Sequence, residues 1–272
     1  MAADFYVLEC EAEGCDAEFW LNDIPVVLRG PKHGEYASTP VNQLVRDGVN
    51  TISAIIRPGP KPSEAATGGD KGKSRRAPAD EKVWAKLSAY PMHAVVGGPD
   101  AEHLVEFHWP PDPKVAEEHP LVISASKDLG ELFGPWAHQS AAPLTLDEPT
   151  RAEILAYLKE IRALLEAGDC EGFLDKQKVR VAETALAYGK RPANKKNEIR
   201  RVIADEFGKP SWVLLPIPED KLDLRLVGEG RVVDCIGTDW EPLVRRGPDA
   251  DGNGGFFEMM LSKIDDQWQI VR

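Results

Sequence analysis

The stretch RRGPDADGNGGFFEMMLSKIDDQWQIVR, residues 245–272, decides the fold, because it opens like a calcium loop and closes like a hairpin of a buried sheet. Aligned as a calcium loop, Asp249, Asp251, Asn253 and Gly254 fall at positions 1, 3, 5 and 6, but Met260 stands at position 12, where a bidentate Glu is required. The residues beyond Gly255 are rich in aromatics and run into a second strand instead of an exiting helix. PDADGNGG therefore reads as a loop between two strands, with Asp, Asn and Gly supplying the turn geometry.

Along FFEMMLSKI, a period of two places Phe256, Glu258, Met260 and Ile264 on one face and Phe257, Met259 and Leu261 on the other. Both faces are largely apolar, and helices of the same domain cover only one. The other face is expected to be covered by a second copy of the sheet in a homodimer or by the amino-terminal half of the chain.

Upstream, EPTRAEILAYLKEIRALLEAGD sets Ile154, Leu155, Leu158, Ile161, Leu164 and Leu165 at steps of three and four, an amphipathic helix stopped by Gly168. Asp169 caps a second predicted helix through CEGFLDKQKVRVAETALAYG, and KKNEIRRVIADEFG predicts a third. After Gly208 come strands: SWVLLP, LDLRLVG, RVVDCIG, EPLVRR, FFEMMLSKI and QWQIVR. Helices followed by a strand meander predict an α+β layer with the helices on one face of an antiparallel sheet.

The segments YLKEIRALLEAGDCEGFLD and GGFFEMMLSKIDDQWQIVR resemble the nuclear-transport-factor-like, or cystatin-like, α+β cone family over residues 148–272. The likeness lies in a first helix ending in Gly-Asp and in two last strands meeting at an acidic turn before a Trp. It implies helices packed on a curved antiparallel sheet and dimerisation through that sheet. It implies little about activity, because the family spans isomerases, dehydratases, transport factors and non-catalytic modules.

The first half has a different rhythm. DFYVLEC, AEFWLND, IPVVLRG, NTISAIIRP, KVWAKLSAY, HLVEFHW and PLVISAS alternate with period two and are punctuated by Gly, Pro, Asn and Asp, which predicts an antiparallel β-sandwich. LNDIP makes a tight reversal, and RDGVN gives a glycine turn into the next strand. These turns resemble those of jelly-roll-like sandwiches attached to bacterial enzymes and carbohydrate-binding proteins. Residues 59–80 are expected to be a mobile loop, and its KGKSRR run is a candidate docking site for an acidic partner set against a plain solvated loop tip. The expected organisation is a sandwich domain at 1–127, a linker at 128–147 and the α+β domain at 148–272, with Leu132, Phe133 and Trp136 pinning the linker.

A net charge of −12 makes a nucleic-acid partner unfavourable. The start MAADFYVLEC lacks a basic region followed by an apolar stretch, and no run approaches the roughly 18 apolar residues of a membrane helix, so a cytoplasmic protein is expected. The four cysteines, Cys10, Cys15, Cys170 and Cys235, are too scattered for a disulfide scaffold and lack the companions of a zinc site.

All six histidines precede the helical half, so the α+β domain has no imidazole for acid–base chemistry, and the His–Asp pair of related dehydratases does not carry over. An isomerase-like site would draw on Glu258, Asp239 or Tyr188, with Trp212 and Trp240 lining a pocket. Asp223 and Asp234 oppose apolar neighbours on their strands and are expected to be solvated or loop-capping, while Glu258 is expected to be a salt-bridge partner. His103 and His108, an odd five residues apart, are expected on opposite strand faces and hence not to share a metal. Trp20, Trp84 and Trp109 are the sandwich aromatics a carbohydrate would use; parity places Trp84 and Trp109 in the core. No phosphate loop, nucleophile elbow or HExxH is present.

These readings lead to a non-catalytic bacterial module that binds a protein partner, without cofactor or metal, in an immunity-type or secretion-accessory role. An isomerase-like enzyme acting on a small apolar substrate, and a carbohydrate-binding protein, are the alternatives.

Overall fold

The computed structural model describes residues 5–68, 74–76, 80–92, 94–110, 116–207, 212–248 and 254–272. The side chains of the KGKSRR run, His93 and the calcium-like ligands Asp249, Asp251 and Asn253 lie outside the described residues. The chain divides into two compact units, Met1–Pro135 and Trp136–Arg272.

The first unit is built of strands β1 (Phe5–Glu13), β2 (Ala17–Leu21), β3 (Ile24–Arg29), β4 (Tyr36–Pro40), β5 (Val49–Ile56), β6 (Ser74–Arg76), β7 (Lys82–Tyr90), β8 (Glu102–Trp109), β9 (Ala116–Glu118) and β10 (Leu121–Asp128). They form two four-stranded antiparallel sheets, β4-β1-β7-β8 and β10-β5-β2-β3, with β6 and β9 as a separate pair. Alternation buries one face of each: Leu8, Cys10, Ala12, Val83, Ala85 and Leu87 in the first sheet, and Ala17, Phe19, Leu21, Ile52, Ala54 and Ile56 in the second. Strand β5 lies against β7 and β10 against β8, so these rows meet.

Asn22 and Asp23 both take positive φ, 53° and 61°, giving the two-residue reversal whose twist matches the strands it joins. The RDGVN turn is held by Asn50, whose Oδ1 accepts from Arg46 N at 2.9 Å and Asn22 Nδ2 at 2.7 Å. Residues 59–68 are the described first part of the loop expected at 59–80. They wrap a turn around Pro62–Glu64 with Ala65 buried, and a Cβ at Gly59 would lie 2.3 Å from the Glu64 carbonyl oxygen.

The second unit carries α1 (Glu148–Glu166), α2 (Cys170–Lys176), α3 (Lys178–Ala187) and α4 (Pro192–Phe207), then β11 (Leu222–Val227), β12 (Val232–Gly237), β13 (Val244–Arg246), β14 (Gly255–Phe257), β15 (Met260–Ile264) and β16 (Gln267–Ile270). Asp147 caps α1 by accepting from Thr150 N, and Asp169 caps α2 by accepting from Gly172 N. The second predicted helix is two helices, broken at Gln177, where φ is −118°.

Strands β11-β12-β15-β16 form an antiparallel sheet, and β13 pairs with β14. FFEMMLSKI is thus two strands interrupted at Glu258 and Met259, with Cys235 N donating to Met259 O at 3.1 Å across the break. Asp265 and Asp266, both at positive φ, reverse the chain before Trp268. Of SWVLLP, residues 212–216 are described and form no continuous strand; among them Leu214 bridges to Arg246 of β13, flanked by Leu215 N donating to Arg245 O and Gly247 N donating to Val213 O. From α1, Arg162 donates through Nε to Leu215 O at 2.8 Å and through Nη2 to Leu214 O at 3.1 Å, while both of its Nη atoms also bond Glu166.

The α1 stripe of Ile154, Leu158, Ile161 and Leu165 packs in one cluster with Leu224, Val233, Leu261 and Ile270, filling the space between helix and sheet. The opposite face is less oily than expected. It buries Asp223, Arg225, Asp234, Ser262 and Gln269 together with Val227 and Val232. Large exposed apolar side chains lie beside it, at Val213, Leu215 and Phe256. Among the described residues no helix is long and apolar enough to cross a membrane.

Candidate functional site

The acids and aromatics singled out in the second unit do not converge. Asp239 sits in the turn after β12, where burial, which raises its pKa, is outweighed by Lys221 Nζ at 2.9 Å, Glu241 N and the more distant Arg245. Its carboxyl is held below the usual range, so it is a loop-capping ion and a weak base. Tyr188 occupies the C-terminal cap of α3, with its N–H donating to Thr184 O.

Trp212 is a core residue of the helix-backed face. Its Nε1 donates to Leu165 O at 3.1 Å, and its ring meets Phe207 and Phe257 edge-on. The Trp240 ring lies on the other face, with the Arg225 guanidinium carbon 5.7 Å from its centroid. The two tryptophans cannot line one pocket. Asp234 and Asp223 are buried, not solvated, and Asp234 accepts from Arg225 Nε at 2.8 Å. Burial pushes the Asp234 carboxyl up despite that partner.

Glu258 has no salt bridge within 4.0 Å among the described residues, contrary to expectation. Protein atoms crowd its carboxyl enough to raise its pKa, which Arg180 opposes and Asp234 reinforces. Its side chain nevertheless stays open to solvent.

The residues that do assemble on an open surface lie on the outer face of the first sheet. Register aligns Tyr36 on β4, Glu11 on β1, Trp84 on β7 and His108 on β8 in one row across four strands. Trp84 Nε1 donates to Glu11 Oε2 at 2.5 Å, and the indole lies 6.3 Å from the Tyr36 ring and 6.4 Å from the His108 ring. The next row is Ser38, Glu9, Lys86 and Glu106, and beyond the first row Glu13 faces Lys82.

Glu9 ties the rows together. It accepts from Tyr36 OH at 2.9 Å and pairs with Lys86 Nζ at 3.0 Å, while Lys86 Nζ lies 6.0 Å from the Trp84 ring centroid. Desolvation first, and the bond to Glu9 second, push the Tyr36 phenol up, so it stays a neutral donor. Tyr36 is 50% exposed, and His108 and Glu106 are also exposed. The surface offers flat rings, fixed carboxylates and two ammonium groups, Lys86 paired with Glu9 and Lys82 with Glu13 at 3.2 Å.

Sequence parity assigned Trp84 to the core; it faces outward because its neighbours Val83 and Ala85 fill the interior. Trp109 is a core residue, 2% exposed. His103 and His108 share the outer face, since a bulge between Leu87 and Ser88 sets His103 opposite Ser88 and His108 opposite Trp84. Four residues of β7, roughly 13 Å at a strand's rise, separate their partners, so they still cannot share a metal. Among the described residues no group of His, Cys, Asp and Glu is placed to hold one. Strand β4 was not read from the sequence, so the Tyr36 end of the row had no signal beyond a single aromatic.

No family model, curated protein or solved structure matches the chain.

Proposed function

We propose that the chain is a non-catalytic recognition protein: a β-sandwich joined to a helix-backed, cone-like α+β domain, engaging a basic protein partner through the outer face of the first sheet. The observation carrying this reading is the Tyr36–Glu11–Trp84–His108 row flanked by Glu9, Glu13 and Glu106. Tyrosine and tryptophan supply contact area at low entropic cost, and carboxylates beside an indole suit arginine and lysine side chains. The net charge of −12 would steer such a partner, as an immunity-type role against a basic toxin would require. The apolar cluster between α1 and the sheet and the dispersed positions of Asp239, Tyr188 and Glu258 argue against the isomerase-like alternative.

The test is calorimetric titration with a ten-residue Lys/Arg peptide and a neutral peptide of equal length. The basic peptide is expected to bind at low salt, weaken steeply with added salt, and lose about tenfold in affinity on Glu11→Gln or Trp84→Ala. Equal binding of both peptides, or of neither, overturns the reading.

The aromatic row also favours a second reading, carbohydrate binding, in which rings stack on sugar faces and carboxylates accept from hydroxyls. Oligosaccharide binding that is indifferent to salt and lost in Trp84→Ala would support it in place of the first.

A further inference from the structure

The second unit holds a set of buried cationic and amide donors that its own acceptors do not satisfy. Arg272 is 8% exposed, and among the described residues its Nε and Nη2 have no hydrogen-bond partner. Its Nη1 donates to Glu183 Oε2 at 2.5 Å and to Val271 O at 2.6 Å. Its guanidinium carbon lies 5.4 Å from the centroid of the Trp136 ring, an apolar wall that weakens competition from water.

On α3, Arg180 precedes Glu183 by three residues and so lies beside it on the helix side that Arg272 reaches through Glu183. Arg180 is only partly exposed and has no ion pair within 4.0 Å among the described residues; Glu258 is near enough to act on it only through space. At the α3 N-cap, three residues before Arg180, Gln177 is 3% exposed and its Nε2 lacks an acceptor among the described residues. Gln177, Arg180 and Glu183, the residue that holds Arg272, thus follow one another at steps of three along the first half of α3, and Gln177 and Arg272 carry donors without acceptors among the described residues. Leaving buried donors unfilled is costly, and the remedy that suits guanidinium geometry is an oxyanion accepting from both arginines.

We infer that the end of α3 and the residue following β16 form a binding site for a small oxyanion, a phosphate or carboxylate group held by Arg180 and Arg272 with Gln177 beside them. Arg180, the more open of the two, forms the entrance. Glu183 positions Arg272, and Glu258 is the negative charge with which an incoming anion competes. The site is independent of the sheet face proposed for protein recognition.

The experiment uses the full chain, thermal unfolding and calorimetry with inorganic phosphate, and sodium chloride at matched ionic strength as the control. Phosphate is expected to raise Tm by about 2 °C or more near saturation while chloride does not. Sodium acetate in a parallel arm separates carboxylate from phosphate as the group recognised. A response to either supports the site, and a response to neither, or an equal response to chloride, overturns it. Arg180→Gln is expected to cost about tenfold in anion affinity without lowering the anion-free Tm, because no ion pair is lost. Glu258→Gln is expected to tighten binding. An Arg180→Gln variant that binds as the unmodified chain does would also overturn the assignment.

Discussion

Glu11 and Trp84 stand opposite each other on β1 and β7, and the carboxylate accepts the indole N–H on the outer, solvent-facing side of the sheet. A half-buried indole with ring neighbours on both flanks stabilises the sheet as well as decorating it. Trp84→Ala is expected to lower unfolding free energy by about 1–2 kcal/mol, the sum of its cross-strand pairs, without loss of fold. Urea denaturation followed by circular dichroism measures this, and a change above about 4 kcal/mol would place Trp84 in the core after all.

Leu158 is fully buried at the centre of the α1 stripe. Leu158→Ala is expected to cost about 2–5 kcal/mol, from lost transfer energy and the cavity left behind. A cost under about 1 kcal/mol would mean that helix and sheet do not pack as described.

Asp47 accepts backbone N–H bonds from Leu132, Phe133 and Gly134 at 2.7, 2.8 and 3.1 Å, which hold its carboxyl below the usual range. A depressed folded pKa gives stability that is complete above the unfolded value of about 3.9 and is lost as pH falls through the folded one. The unmodified chain should exceed Asp47→Asn in stability at pH 6, with the difference shrinking below about pH 4. A difference that stays constant with pH would show that the anchor does not depend on charge.

Glu258 has the opposite sign. Its raised pKa means that folding disfavours the ionised form, so Glu258→Gln should be the more stable protein at pH 7 and lose that advantage below about pH 4. Thermal melts across that range settle the point, and a less stable Glu258→Gln at neutral pH would contradict it.

Cys10, Cys15 and Cys235 are buried, and desolvation pushes the first two thiols up to about 12 and the third well above its ordinary value. Native protein at pH 8 should therefore react with a thiol reagent at Cys170 first, and at all four cysteines only after denaturation. Rapid native labelling of Cys10 would be incompatible with its place in the interior.

Local chemistry was legible in the sequence, and long-range register was not. Asn22-Asp23 and Asp265-Asp266 announce their reversals because those residue types tolerate positive φ, and Asp169 announces a helix start through its side chain. The Leu87–Ser88 bulge carries no such mark, yet it moves His103 to the face of His108. The break at Glu258 was hidden because FFEMM reads as one continuous strand. The burial of Asp234 is not legible from its own strand, because Arg225, across the ladder from it, is what makes that burial tolerable. The outward turn of Trp84 became visible only once Tyr36 and His108 were known to flank it.

The contact of Arg162 with Leu214 and Leu215 has a consequence for solubility. The segment before β13 borders that strand on one side, and the outer carbonyls of such an edge invite strand addition from a neighbouring molecule. A guanidinium delivered from α1 occupies the outward carbonyl of Leu214 together with that of Leu215 and is itself clamped by Glu166, so it is expected to act as a stopper against polymerisation. Replacing it with methionine would keep much of the aliphatic bulk yet uncork the edge, and concentration-dependent fibre growth would be its signature.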